Sequence, residues 1–247
     1  ILLKASFSLE NEKNEVGVYF GSKIYEERHP VDNSFFMSQD GFMLGLIGSN
    51  ETYSDSIYSG LKYRLGYGQV DYTSAGTGTI SGIPDYQFEA SGYLGKPVIL
   101  KNSRLTFFGG LGYRYLLNAS GLKASSTGHS GYDRESRYSY IPVGINYETS
   151  SSGDSYWEFR GEYLHFIYGQ QKSKLSQVSS NYTDITNDQE DGSGIKLTTK
   201  FYFDKQSGIE AYTDYWDIAD SKLDVTGNFM EPRNTTSETG IRFFWKY

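Results

Sequence analysis

Between Tyr156 and Tyr168, Trp157, Phe159, Gly161, Tyr163, His165 and Ile167 fall on one face of an extended chain, and Glu158, Arg160 and Glu162 on the other. A helix would spread those charges round its circumference, whereas a strand collects them on one side. The same division recurs along the chain. Ile195, Leu197, Phe201 and Phe203 oppose Lys196, Thr198, Lys200 and Asp204. Leu61, Tyr63, Leu65 and Tyr67 oppose Lys62, Arg64 and Gly66. At the C-terminus Ile241, Phe243, Trp245 and Tyr247 oppose Glu238, Arg242 and Lys246. One face is apolar and the other charged.

Such segments predict ten strands, near 14–26, 41–49, 56–72, 84–95, 103–118, 135–148, 155–171, 193–204, 207–219 and 236–247. Nearly all meet the about 9–11 residues that a tilted strand needs to cross a bilayer. Their connections alternate: short links at 49–55, 96–102, 149–154 and 204–207, long polar ones at 27–40, 73–83, 118–134, 172–192 and 219–235. Alternating turns and loops are the mark of an up-and-down barrel in an outer membrane, whereas a soluble sandwich has no reason to lengthen every second connection. The expected fold is therefore all-β, a closed antiparallel transmembrane β-barrel of about ten strands. Residues 14–247 form its single domain, and 1–13 a periplasmic segment or the start of the first strand. Pro142 lies inside the sixth segment, where a closed barrel needs each N–H paired, so it marks a bulge or a misplaced boundary.

Composition fits this picture. The 247 residues include 23 Tyr, 15 Phe and 28 Gly but only 5 Pro and 3 Met, a mixture suited to pleated strands and turns rather than helices. A hydrophobic fraction of 37% would give a soluble domain of this size a thin core; a membrane barrel needs only alternate residues to be apolar. No run approaches the about 18 apolar residues of a membrane helix. With no cysteine, disulfides, thiolate metal sites and thiol nucleophiles are excluded. The net charge of −7 argues against nucleic acid as a partner. The start, Ile1 to Phe7, lacks the charged and apolar regions of a complete signal peptide, so the expectation is a mature chain whose export signal has been removed.

An even strand number puts both termini at the periplasmic end, and the last strand then ends the chain. Glu238, Gly240, Ile241, Phe243 and Trp245, followed by Tyr247, resemble the C-terminal β-signal of Gram-negative outer-membrane proteins. That resemblance implies that Gly240, Phe243, Trp245 and Tyr247 are read by the barrel-assembly machinery. Its pattern stops two residues before the terminus, although Tyr247 keeps the terminal aromatic. In size and inferred strand number the chain also resembles the omptin proteases and the Opc-type adhesins.

The charged face predicts a lumen network of Lys62, Arg64, Arg114, Glu158, Arg160, Glu162, Lys196, Lys200, Glu210 and Arg242, with Lys23, Glu89, Asp204, Asp214, Glu238 and Lys246 on the same face. The near balance of sign implies mutual pairing, since unpaired charges in a narrow barrel are costly. Ten strands leave a lumen mostly plugged or narrowly open. A structural network and a selective pore lining both fit these residues.

Catalysis finds little support. Omptins use an Asp pair opposite an Asp-His pair, and no Asp-x-His occurs here. His29 lies near Glu27 and Asp32, His129 near Asp133 and Glu135, and His165 at the interfacial end of its strand. His129 and Ser130 share a loop, without the preorganisation a hydrolase needs. The acidic stretch from Asp184 to Asp191 offers oxygen ligands but not the spacing of a calcium loop. No catalytic residue, metal ligand or cofactor is assigned. The long loops, carrying Tyr132, Tyr182, Phe229 and Met230 among small polar residues, have the make-up of a recognition surface.

The expected function is a surface-binding, adhesion-type outer-membrane protein, with lipid, lipopolysaccharide, the assembly machinery and an extracellular ligand as partners. The alternatives are a narrow passive channel for small polar solutes and, behind it, an omptin-like hydrolase. A soluble sandwich or lipocalin-like barrel would instead need a second layer over the aromatic face.

Overall fold

A computed structural model describes residues 11–149 and 155–247. Its strands are β1 (Glu12–Arg28), β2 (Phe35–Tyr53), β3 (Tyr58–Ser74), β4 (Gly78–Leu100), β5 (Ser103–Asn118), β6 (Arg134–Thr149), β7 (Tyr156–Ser173), β8 (Ile185–Gln189), β9 (Gly192–Tyr202), β10 (Ser207–Ile218) and β11 (Asn234–Lys246). All but β8 form one antiparallel ring, which closes through the pairing of β1 with β11. β8 is an extra strand in the fourth loop, paired with the far end of β7 after β9 has left it. The chain is a closed ten-stranded barrel.

Burial is the inverse of a soluble protein. Val16, Val18, Phe20, Leu44, Leu65, Leu111, Val143 and Leu197 face outward and exposed, while Lys13, Arg64, Arg104, Glu158 and Glu238 are buried inside. A period of two turned about a closed sheet gives an apolar belt outside and a polar filling within. Among the described residues that arrangement leaves no second layer over the aromatic face, so the sandwich alternative fails.

The strands are longer than the sequence predicts. β4 has 23 residues and β2 has 19, so the barrel continues past its apolar belt at the loop end. Outward residues there are Asp40, Gln69, Asp71 and Arg137, all exposed. The first two loops shrink accordingly, to 29–34 and 75–77, and the predicted link at 96–102 to 101–102. Asp204 is not on the lumen face. It lies in the turn after β9, where its carboxylate accepts the N–H groups of Gln206 (2.7 Å) and Ser207 (2.8 Å). Of the predicted N-terminal segment, residues 1–10 lie outside the described residues, while Glu12 and Lys13 belong to β1.

Pro142 is inside β6, paired with Leu164 of β7. On its other side the β5 ladder jumps from Gly109–Val143 to Gly112–Tyr140, so the proline falls where one ladder is interrupted. The register shift in the β6–β7 ladder lies close by, between Ser139 and Tyr140. The barrel thus accommodates a residue without an N–H by a local irregularity rather than by ending the strand.

Candidate functional site: the lumen network and the loop-end cleft

The ten residues of the predicted lumen network point inward, and the structure orders them in layers. Nearest the turn end, Lys13 is fully buried between Glu148 (2.6 Å) and Glu158 (2.8 Å), within 6 Å of the rings of Tyr53, Tyr156 and Tyr202. Arg104 joins the same Glu148 at 2.7 Å. In the next layer Lys200 meets Glu15 at 2.6 Å, Glu51 receives Lys62 (3.3 Å) and Arg160 (3.4 Å), and Arg160 turns its Nε to Glu162 at 2.6 Å. Midway along the lumen Arg64 reaches Glu89 and Asp214 at 3.0 Å and Glu238 at 3.2 Å. Lys196 also binds Glu89, at 2.6 Å, and Arg242 binds Glu210.

These layers surround an inner cavity lined by Lys62, Arg64, Arg160, Glu162, Lys196, Lys200, Glu210 and Arg242 together with carboxylates of β1, β4 and β10. Glu158 and Arg114 do not line it. Glu158 belongs to the turn-end layer. Arg114 is buried with its guanidinium 5.1 Å from the Trp216 ring, under a cap of Leu116, Tyr138, Tyr140, Leu164, Phe166, Trp216 and Ile218. The Tyr140 ring lies over Gly112 of the neighbouring β5, where a Cβ would come within 2.2 Å of it, and so reaches across to β4. From that position its hydroxyl donates to Glu89 at 2.5 Å.

Above the cap, Lys23 pairs with Asp85, and the barrel opens into a second space at its loop end. This space is the loop-end cleft. Phe36, Met37, Tyr72, Ile80, Ile83 and Tyr132 give it apolar walls, and Glu27, Gln39 and Arg134 lie at its base. The Nη2 of Arg134 pairs with two carboxylates, Glu27 of β1 and Glu231 of the fifth loop. The Tyr25 hydroxyl donates to Glu27 at 2.8 Å and lies 3.4 Å from Glu231. Burial pushes the Glu231 carboxyl up to about 8, the Arg134 charge opposes this, and the Glu27 carboxylate beside it adds to it. Glu27 and Glu231 escaped sequence reading because both fell in segments predicted as loop. Glu27 extends the alternation of Lys23 and Tyr25 on β1, the one signal that could have found it.

The candidate catalytic groups are dispersed. His165 faces outward on β7. His29 stands 3.8 Å from Asp32 in an exposed turn, while Glu27 is committed to Arg134. His129 lines the cleft but pairs with Thr127 Oγ1 at 2.9 Å. Asp133 binds Gln177, and Glu135 binds Lys174, so neither serves it. The acidic stretch also divides: Asp184 takes Ser176, Asp188 takes Tyr168, and Glu190 takes Lys222. Among the loop aromatics Tyr132 joins the cleft wall, while Tyr182 and Phe229 are half-exposed. Gly240 has a packing role of its own: a Cβ there would meet the Phe20 carbonyl at 2.2 Å and the Tyr212 ring at 2.9 Å.

No protein-family model matches the sequence, and neither does a curated protein. Among solved structures, the outer membrane protease OmpT from Escherichia coli superposes with a TM-score of 0.61 at 11% identity, covering 98% of each chain. The outer membrane protein OprG from Pseudomonas aeruginosa is similar at a TM-score of 0.40 and 10% identity, covering 96% of this chain and 97% of that one. The first likeness extends end to end but rests on few shared residues. The chain has the fold of a Gram-negative outer-membrane barrel.

Proposed function

We propose that the chain is an integral outer-membrane barrel with a closed lumen, which works as a surface-binding, adhesion-type protein through its loop end. The observation that carries this reading is the sequence of layers across the lumen. Ion pairs centred on Lys13 fill the turn end, the aromatic cap covers the inner cavity, and the space that opens outward lies above both. Buried charges satisfied by opposite charges resist opening, because separating any pair strands a charge in a poorly hydrated interior. The strands that outrun the apolar belt carry the cleft clear of the bilayer surface, where a ligand can reach it.

A narrow channel is the second reading, and the charged lining of the inner cavity favours it. Planar-bilayer recording of the refolded protein, against an empty-detergent control, separates the two. The closed reading expects stable insertion without current steps. Reproducible steps whose size changes in Arg160→Gln or Glu162→Gln would assign the protein to the channel class instead. Hydrolysis is not supported, since His29 meets Asp32 and His129 the Thr127 hydroxyl at separate places, and neither contact joins a histidine, a carboxylate and a nucleophile.

A further inference from the structure

We infer that the loop-end cleft is a binding site for an organic cation, a quaternary or primary ammonium carried on an apolar body. This inference rests on the surface-binding reading and names the ligand class of that site. Three features on the cleft converge on it. Its walls are aromatic and aliphatic, with Phe36, Tyr72 and Tyr132 around the space, and ammonium groups are held by ring faces in such surroundings. Its base carries a carboxylate, Glu27, buried apart from the side it turns to the cleft. Finally, Glu27 and Glu231 share the single guanidinium of Arg134, so two carboxyl groups face one positive charge.

The last feature makes binding proton-linked. The groups facing Glu231 are Tyr25 and Glu27 from β1, Tyr132 and Arg134 at the start of β6, and Tyr138 further along it. Only Arg134 is cationic among them. With Glu231 neutral below about pH 8, the cluster is balanced: one guanidinium against the Glu27 carboxylate. A cation entering beside Glu27 restores balance to a cluster in which both carboxylates are ionised, and so releases the Glu231 proton. Affinity therefore rises with pH through that range, while the charge of a quaternary ammonium does not change.

The test uses the folded full chain in detergent and isothermal titration with benzyltrimethylammonium, benzyl alcohol and phenylacetate. The cation should bind at least about tenfold tighter than the alcohol, and about tenfold more weakly at pH 6 than at pH 9. Glu231→Gln should remove the pH dependence, and Glu27→Gln should bring the cation down to the level of the alcohol. Should Glu27→Gln fail to give the heat-resistant folded band, Tyr72→Leu replaces it, with a loss of about tenfold expected from the missing ring face. Equal affinity for phenylacetate, or pH-independent cation binding, overturns the inference. If the bilayer experiment shows no steps and the cation still fails to bind, the inference falls while the closed-lumen reading stands. If the barrel conducts, that reading falls first, whatever the cation does.

Discussion

Arg64 holds three carboxylates at once, those of Glu89, Asp214 and Glu238, from three different strands. Replacing it with Met would leave all three close together in a poorly hydrated interior. The expected loss is about 3–5 kcal/mol, the usual cost of removing one partner from a buried ion cluster. Urea unfolding followed by tryptophan fluorescence measures it, and an unchanged midpoint would mean that water screens the lumen more than its packing suggests. The inward direction of Arg64 was legible in the sequence, because it alternates with Leu61, Tyr63, Leu65 and Tyr67. Its partners were not: alternation gives the face a side chain takes, but pairing depends on how strands distant in sequence are staggered across the lumen. Lys13, Glu51 and Glu148 were missed for another reason. They lie at strand ends, beyond or at the edge of the apolar run that drew the boundaries.

The same edge effect governs whole elements. Sequence placed the start of β2 near residue 41, yet the strand begins at Phe35. Ser38, Gln39 and Asp40 carry no hydropathy contrast, so a strand running through them above the membrane looks like a loop. The fifth loop, 219–233, shows how a true loop is fixed without strand pairing. Asp224 accepts the N–H groups of Thr226 (3.2 Å), Asn228 (3.0 Å) and Phe229 (3.0 Å), and the Thr226 hydroxyl at 2.7 Å. The Thr226 hydroxyl, followed by those backbone donors, holds the Asp224 carboxyl down at about 2. A lowered carboxyl keeps its contribution above its ordinary range and loses it as pH falls through the lowered value. The loop should therefore stay ordered at pH 4 and loosen near pH 2, read from the amide resonances of Asn228 and Phe229. Asp224→Ala should open 225–228 to protease at neutral pH and leave the barrel folded. Equal nicking of the parent and the variant would show that the Glu231 and Ser221 contacts suffice to hold the loop.

At the scale of the whole molecule, the ring, its ten strands and its inside-out burial were all foreshadowed by a period of two, since each strand carries its own record of two faces. A lumen mostly plugged or narrowly open was expected from the strand number, but the cluster of Tyr138, Tyr140, Phe166 and Trp216 inside it was not, because its residues come from β6, β7 and β10 and meet only in space. Topology sorts the connections by end: the turns at Ser54–Ile57, 101–102 and 203–206 share one end of the barrel with the start of β1 and the end of β11, and the long loops share the other. In an outer membrane with both termini inside, Leu122 of the third loop projects into the medium, 98% exposed, and Asp55 into the periplasm. The chain has no cysteine of its own, so single replacements report without background. Leu122→Cys should react with a membrane-impermeant maleimide on intact Gram-negative cells, whereas Asp55→Cys should react only after the outer membrane is permeabilised. Labelling of both on intact cells would remove the bilayer from the argument, and with it the reason for an apolar exterior. Labelling of Asp55→Cys alone would invert the barrel and turn the cleft towards the periplasm, so that any ligand would have to come from the cell itself.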